Sequence, residues 1–364
     1  MGKLLLLILL IAAAAAGWLW YSINYPYQGF GPEGVFVEVP HGSSSRSVAR
    51  LLERKGVVRN SVAFEIYARR HPRRSLQAGE YFFDRATSAH DVFWKLANGQ
   101  VFEQPFTVRE GETMFDIARD LEAGKFMPAD EFLRAAKDPA LIQDIAPKVA
   151  TLEGFLFPAT YHLSRHPSAT ALTADMVRKF KEEWATVTSP ASSADAMTSS
   201  GTFTEATQTD PPAAVNNAPP SSRPVTAIVT LASLVERETP KAEERPLVAG
   251  VFENRLHKNM LLQCDPTVIY ALEQQGRYNG TLSTADLHID SPYNSYTHTG
   301  LPPGPIGNPG EASLRAAYRP AHTDYLYFVA NTQGGHFFSS TLAEHNNNVI
   351  KYRRLLAGEQ ASTR

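Results

Sequence analysis

The sequence has almost nothing with which to cross-link itself: one cysteine, Cys264, among 364 residues. An intrachain disulfide is excluded, and so is any zinc or iron–sulfur site built on a cysteine cluster. The eleven histidines are scattered, with no His-x-x-x-His pair on a helical pattern, so no metal is expected. Charge of one sign is missing too. The formal net charge is −2, without the basic excess of a nucleic-acid binder, and no nucleic-acid partner is expected. What remains is ordinary globular material, 43% hydrophobic and 20% charged, long enough for two or three domains.

Long apolar runs are rare, and the one at the start is informative. Leu4 to Trp20 carries no charge over 17 residues, near the lower limit for a membrane-spanning helix. Trp18, Trp20 and Tyr21 stand where an interfacial aromatic belt would be. Lys3 precedes the run, and no Lys or Arg follows until Arg46. The positive-inside rule then leaves the N-terminus in the cytoplasm and carries the body across. A cleaved signal peptide is the competing reading, since the alanine run supplies small residues for cleavage. Both readings place the body outside the cytoplasm; the uncleaved anchor is the expectation, with the protein in the inner (plasma) membrane.

After a Gly/Pro-rich spacer, "VPHGSSSRSVARLLE" from Val39 and "VREGETMFDIARDLE" from Val108 match at an offset of 69 residues. Val39 and Val108, Gly42 and Gly111, Leu52 and Leu121 are equivalent pairs. A glycine at a strand-to-helix turn tolerates backbone angles that other residues avoid. The pattern predicts two related strand–turn–helix units in one membrane-proximal region. "LQAGEYFFD" reads as a turn and strand, and "TSAHDVFWKLANG" as a capped helix. "LEGFLFPATYHL" could line a cleft or simply pack as a connection between domains. Residues 186–223 are rich in Ser, Thr, Ala and Pro and lack Lys or Arg before Arg223, so they are expected to be a disordered insertion. Asp290–Gly310, with five prolines and four glycines, is a long loop of the kind that usually serves function.

The chemistry centres on "LASLVERETP", Leu231–Pro240. From Pro224 the residues are apolar on every face of a helix, which marks a buried one. Thr239, before Pro240, is biased out of the helix. Glu236 therefore falls in the last turn, where desolvation and the negative helix end both raise a carboxyl pKa. Such a group suits general acid catalysis. Glu238 lies about 200° further round, so the two carboxyls cannot share a side. A solvated helix end, with Arg237 and Lys241 as partners, is the plainer alternative.

"LASLVERET", "VFENRL", "LQCDPTVIYAL", "YNGTLSTADL", "SPYNSYTHTGLPPGPIGNPG" and "YLYFVANTQGGHFFSSTLAEHN" follow one another in order. Together they resemble the catalytic domain of the MltG (YceG-like) endolytic murein transglycosylases. "VEVPHGSSSRSVARLLERKGVV" with "LQAGEY" is similar to a LysM-like, peptidoglycan-binding fold, and "LEGFLFPATY" to a family signature. The likeness covers nearly the whole chain outside 186–223. It implies cleavage of the β-1,4 bond between N-acetylmuramic acid and N-acetylglucosamine within glycan strands, leaving a 1,6-anhydro end and helping to terminate strand elongation. It implies peptidoglycan synthases as membrane partners and no cofactor. One carboxyl suffices if the sugar's own C6 hydroxyl attacks, because a held hydroxyl has a large effective concentration. Glu236 is assigned that acid/base role. Gln263 and Asp265 are similar to cleft residues of the family, though Asp265-Pro266 also suits a turn. Asn294 and Tyr296 are candidates to hydrogen-bond and stack on a sugar. Arg255 is a further candidate, with a structural ion pair as its alternative. Cys264 stands where the family usually has a small polar residue.

The expected fold is α+β: a tip and transmembrane helix over 1–23, a LysM-like subdomain over 35–105, a second strand–turn–helix unit with a helical connection over 106–185, the insertion, and a mixed α/β catalytic domain over 224–358. Two alternatives remain in view: a non-catalytic LysM-type wall-binding scaffold, and a hydrolytic muramidase with Asp265 as second carboxylate.

Overall fold

The structure, a computed structural model, describes residues 2–189 and 221–362. Contacts divide it into two units: residues up to Pro105 with His162–Arg165, and Phe106–Tyr161 with everything from His166 onward. Both mix helix and strand.

The first unit opens with α1, Gly2–Asn24, apolar, exposed along its length and long enough to cross a membrane. Only its end is covered, where Ser22 and Ile23 are buried. There follow β1 (Val35–Val39), α2 (Ser45–Arg54), α3 (Ser61–Arg69), β2 (Gly79–Phe83) and α4 (Ala89–Ala97). β1 and β2 pair antiparallel with Val37 opposite Tyr81. Their inward residues Val37, Val39, Tyr81 and Phe83 alternate with outward ones and form a core with Val48, Leu52, Phe64, Phe93 and Leu96. Ser88 caps α4: its Oγ accepts from Asp91 N at 3.1 Å.

β3 (Gln104–Thr107) and β4 (Thr160–Leu163) pair where the chain passes between the units. The second unit holds α5 (Met114–Ala123), α6 (Ala129–Ala136), α7 (Ala169–Thr188), α8 (Val225–Glu238), α9 (Arg245–His257), α10 (Asp265–Gln274), α11 (Glu311–Tyr318), the antiparallel hairpin β5 (Tyr327–Ala330) and β6 (His336–Ser339), and α12 (Leu342–Ser362). Helix α8 is its central element. Every residue from Ile228 to Val235 is buried, as its all-round apolar sequence requires, and α8 packs on α9, α10 and α11. Thr239 is extended and ends it before Pro240.

The internal repeat is visible in the backbone. Helices α2 and α5 begin and end 69 residues apart, at 45–54 and 114–123. Each is capped by a hydroxyl, Ser44 or Thr113, accepting the N3 amide. Gly42 and Gly111 have φ of 75° and 81°, the left-handed region that favours glycine. The two copies fall in different units. Most of the expected insertion, 190–220, lies outside the described residues. At its edges, Thr186–Thr188 finish α7, Ser221 N donates to Tyr318 O at 2.8 Å, and Arg223 pairs with Glu253 at 2.7 Å.

Candidate active site

The last turn of α8 presents its two glutamates to different surroundings. Glu236 reaches α9 and α11. Its Oε1 accepts from Arg245 Nη2 at 2.7 Å and its Oε2 from Gly310 N, at the start of α11, at 2.9 Å. Arg245 also reaches Glu110 Oε2 at 3.3 Å. The Glu236 side chain is 4% exposed and the Arg245 side chain 7%, so this is a buried ion pair. Glu236 itself lines a cleft of about 370 Å³, with Arg109, Glu110, Asp116, Arg119 and Arg237 among others. Burial pushes the Glu236 carboxyl up, opposed by the Gly310 amide and Arg245. Both of its oxygens are engaged by donors that favour the anion.

Glu238 faces the other way, toward α10 and the loop before it. It is half-buried, and its one hydrogen-bond partner among the described residues is the Cys264 thiol, donating to Oε2 at 3.4 Å. No cation lies within 4 Å of it among the described residues. Burial pushes its carboxyl up; the thiol, His336 and Arg255 oppose, and the charge of Asp265 adds to the rise. The thiol's own pKa is driven well up, by burial first and by Glu238 next, so sulfur remains an S–H donor. A thiol is a weak donor and stabilises a carboxylate poorly.

The segment carrying Cys264 is sharply bent. Gln263 has φ of 52°, a left-handed conformation unusual for a residue with a side chain. Extended Cys264 then caps α10, with Asp265 and Pro266 in the first turn. Thus Gln263 and Asp265 are exposed on either side of a buried cysteine. Ser295 holds the bend from the opposite loop: its carbonyl accepts from Gln263 N at 3.1 Å and its hydroxyl from Cys264 N at 2.9 Å. The Tyr296 hydroxyl donates to Asp265 Oδ1. Gln263, Asp265 and Tyr296 are thereby brought to the side of α8 that Glu238 faces.

Two other predicted contacts are engaged elsewhere. Asn294 is fully buried; its Nδ2 donates to Leu287 O and Ile289 O at 3.0 and 2.9 Å, and its Oδ1 accepts from Tyr296 N at 2.9 Å. That is a loop-shaping role for a side chain with no exposure. Among the described residues Arg255 makes no ion pair. It donates to the carbonyls of Leu326 at 2.7 Å and Leu262 at 2.8 Å, joining α9 to the bend and to the β5 hairpin. Its guanidinium also lies 5.3 Å from the Tyr327 ring centre.

Several residues that sequence reading passed over complete the frame. Buried Glu244 takes His336 Nδ1–H at 2.7 Å and His336 N at 2.9 Å, fixing β6. A Cβ on Gly335 would stand 2.2 Å from a Glu244 oxygen, so a larger residue there would push the Glu244 carboxyl out of place. Asn308, with no exposure, ties three segments together. Its Oδ1 accepts from Gly154 N and Leu156 N at 2.9 and 3.0 Å; its Nδ2 donates to Glu112 O and Glu153 Oε1 at 2.9 and 3.0 Å. "LEGFLFP" thus packs as a connection within the second unit. An asparagine in a Pro/Gly-rich loop carries no sequence signal for such a task.

Glu153, at the centre of this knot, has no cation within 4 Å among the described residues. It accepts from Met114 N at 3.1 Å and from the Tyr270 hydroxyl at 3.1 Å. Burial raises its pKa from 4.5 to about 8. The folded state therefore holds this proton more tightly than the unfolded chain. The resulting stability is complete below about pH 4.5 and is lost as pH rises through about 8. Glu153→Gln cannot ionise and is expected to flatten that decline: thermal melts from about pH 5 to about pH 9 should show the variant gaining on wild type as pH rises. Parallel curves would exclude a proton held at Glu153.

The chain matches the YceG-like family over residues 37–351. It is 30% identical over 346 residues to the endolytic murein transglycosylase of Bacillus subtilis strain 168, covering 91% of this chain and 88% of that protein. It is 29% identical over 350 residues to the endolytic murein transglycosylase of Streptococcus pneumoniae serotype 2 strain D39, covering 87% of this chain and 58% of that one. A crystal structure of a YceG-like protein from Listeria monocytogenes superposes with a TM-score of 0.53 at 31% identity, covering 87% of this chain and 99% of that one. By the length of the family match, the chain belongs to the YceG-like family.

Proposed function

We propose that this chain is a membrane-anchored lytic transglycosylase that cuts the β-1,4 bond between N-acetylmuramic acid and N-acetylglucosamine inside peptidoglycan strands, with Glu238 as its acid/base. The observation that carries the assignment is the contrast at the end of α8. Glu236, which sequence position favours, has both oxygens held by a guanidinium and an amide. Glu238 is desolvated, has one weak neutral donor, and stands beside exposed Gln263 and Asp265. A general acid must keep its proton near neutral pH and have an oxygen free for the substrate. Burial moves the Glu238 carboxyl in that direction, and its Oε1 has no hydrogen-bond partner among the described residues.

In this reading the protonated Glu238 gives its proton to O4 of the leaving N-acetylglucosamine as the C1–O4 bond breaks. The carboxylate then takes the proton of the muramic acid's C6 hydroxyl while O6 bonds to C1. One bond breaks, one forms, the carboxyl is restored, and no water enters. Gln263, Asp265 and Tyr296 are the surfaces proposed to meet sugar hydroxyl and acetamido groups. Arg255 and Asn294 hold those surfaces in place. Helix α1 would keep the enzyme at the membrane with its body on the outer side, near peptidoglycan synthases, where cutting ends strand elongation. The β1–α2–α3–β2 region is read as the LysM-like element.

Product mass on purified glycan tests the reaction. Wild-type protein is expected to release fragments that are one water lighter than hydrolysed ones. Fragments carrying the extra water would instead mark a muramidase with Asp265 as the second carboxylate. No release at all would leave a wall-binding scaffold.

A further inference from the structure

Charge is unevenly spread along the chain. Residues 45–74 hold nine Lys or Arg and two Glu, a net of +7 in a protein whose whole formal charge is −2. All nine basic side chains are exposed. Arg46, Arg50 and Arg54 recur at every fourth position of α2, forming one stripe opposite the buried Val48, Ala49 and Leu52. Arg69 to Arg74 add four more at the end of α3 and in the turn after it. Glu65 is shared between Arg46 at 3.3 Å and Arg69 at 2.6 Å. Arg50, Arg54, Lys55, Arg70 and Arg73 have no acidic partner within 4 Å among the described residues.

This basic surface is built at the end of the apolar helix. Helix α1 packs on α3 and α4, and Arg59, just before α3, lies 5.1 Å from the ring centre of Tyr21 and 4.7 Å from that of Tyr27. Around it Trp18, Trp20, Tyr21 and Tyr25 are exposed, and so is Val62, 54% open on the first turn of α3. Stacking Arg59 on the last turn of α1 puts the start of α3 at headgroup level. The nine residues of α3 then reach about 13 Å further, roughly one and a half Debye lengths at physiological salt. Each basic side chain near an anionic bilayer favours contact roughly fivefold, and apolar and aromatic residues suit the interface itself.

We infer that the face formed by α2, α3 and the Arg69–Arg74 turn docks on the anionic phospholipid surface around the anchor, holding the first unit against the membrane. This rests on α1 being a membrane anchor. The occupant follows from continuity: the patch begins where the aromatic belt ends, and phospholipid phosphates are the acidic groups that surround that point on every side.

The test uses the full chain in nanodiscs, either pure phosphatidylcholine or one-third phosphatidylglycerol, followed by amide hydrogen exchange. Residues 45–74 are expected to exchange at least about threefold more slowly in the anionic discs, with α12 unchanged as internal control. The difference should vanish in about 0.5 M salt, where the Debye length is only ~4 Å, and in an R50E/R54E/R70E/R73E variant. Equal exchange in the two lipids overturns the inference. So does slowing caused by soluble glycan fragments but not by anionic lipid, which would assign the face to the wall polymer. Loss of the chain from the discs in high salt would mean that α1 does not anchor it, a separate failure.

Discussion

Glu238→Gln is expected to abolish release of anhydro-ended fragments, by about 10²–10⁴-fold, with melting behaviour unchanged. The amide keeps the size and the contact with Cys264 but has no proton to give. Glu236→Gln is the matched comparison. It removes the charge that Arg245 meets at 2.7 Å inside the protein. Breaking a buried pair by neutralising one partner costs about 3–5 kcal/mol; Glu110, still 3.3 Å from the guanidinium, should bring the loss to the lower end. That variant should melt earlier yet retain catalysis within about tenfold when folded. Purified glycan digestion, read beside thermal melts of both variants, separates the roles. An active Glu238→Gln together with an inactive, normally melting Glu236→Gln would return the proton to Glu236.

The second large effect is expected at Asn308, far from either glutamate in sequence. Asn308→Ala removes a side chain making four hydrogen bonds. It leaves Gly154 N and Leu156 N without a partner, while Glu112 O keeps the backbone amide of residue 308 at 2.9 Å. Each orphaned group costs about 1–3 kcal/mol, so a loss of at least ~2 kcal/mol follows, or a fall in melting temperature of roughly 5 °C. Asn308→Asp should behave differently. It keeps the acceptor for the two amides but sets a second carboxyl against Glu153, so its defect should deepen as pH rises. A loss below about 1 kcal/mol for Asn308→Ala would mean that water replaces the side chain and the knot is not structural.

Much of this was legible before the fold was known, and what was missed has physical reasons. The uniform apolar run of α8 identified a buried helix because burial on all sides leaves no room for polar residues. The repeat was readable because a left-handed glycine and a hydroxyl cap leave fixed marks on a strand-to-helix turn. Helical spacing also separated Glu236 from Glu238. It could not say which of the two sides holds an arginine, because Arg245 comes from the next helix. Asn294 was misjudged for a related reason. Polarity in a loop suggests a ligand contact, but here the side chain replaces secondary structure that the prolines forbid. Asn308 and Ser295 act only through contacts distant in sequence, which no local pattern records.

One further point concerns how the two units are threaded. The chain leaves the first after Pro105, comes back for His162–Arg165, and leaves again. The returning segment is gripped: Arg165 meets Glu80 at 2.8 Å and lies 4.1 Å from the ring centre of Phe36. A protease that nicks the backbone once between residues 106 and 161 would therefore leave two interlocked fragments, each carrying part of the other's fold. Clipping there does not part the first unit from the rest of the chain, so a single scar in that interval would show on a denaturing gel and pass unnoticed on a native one.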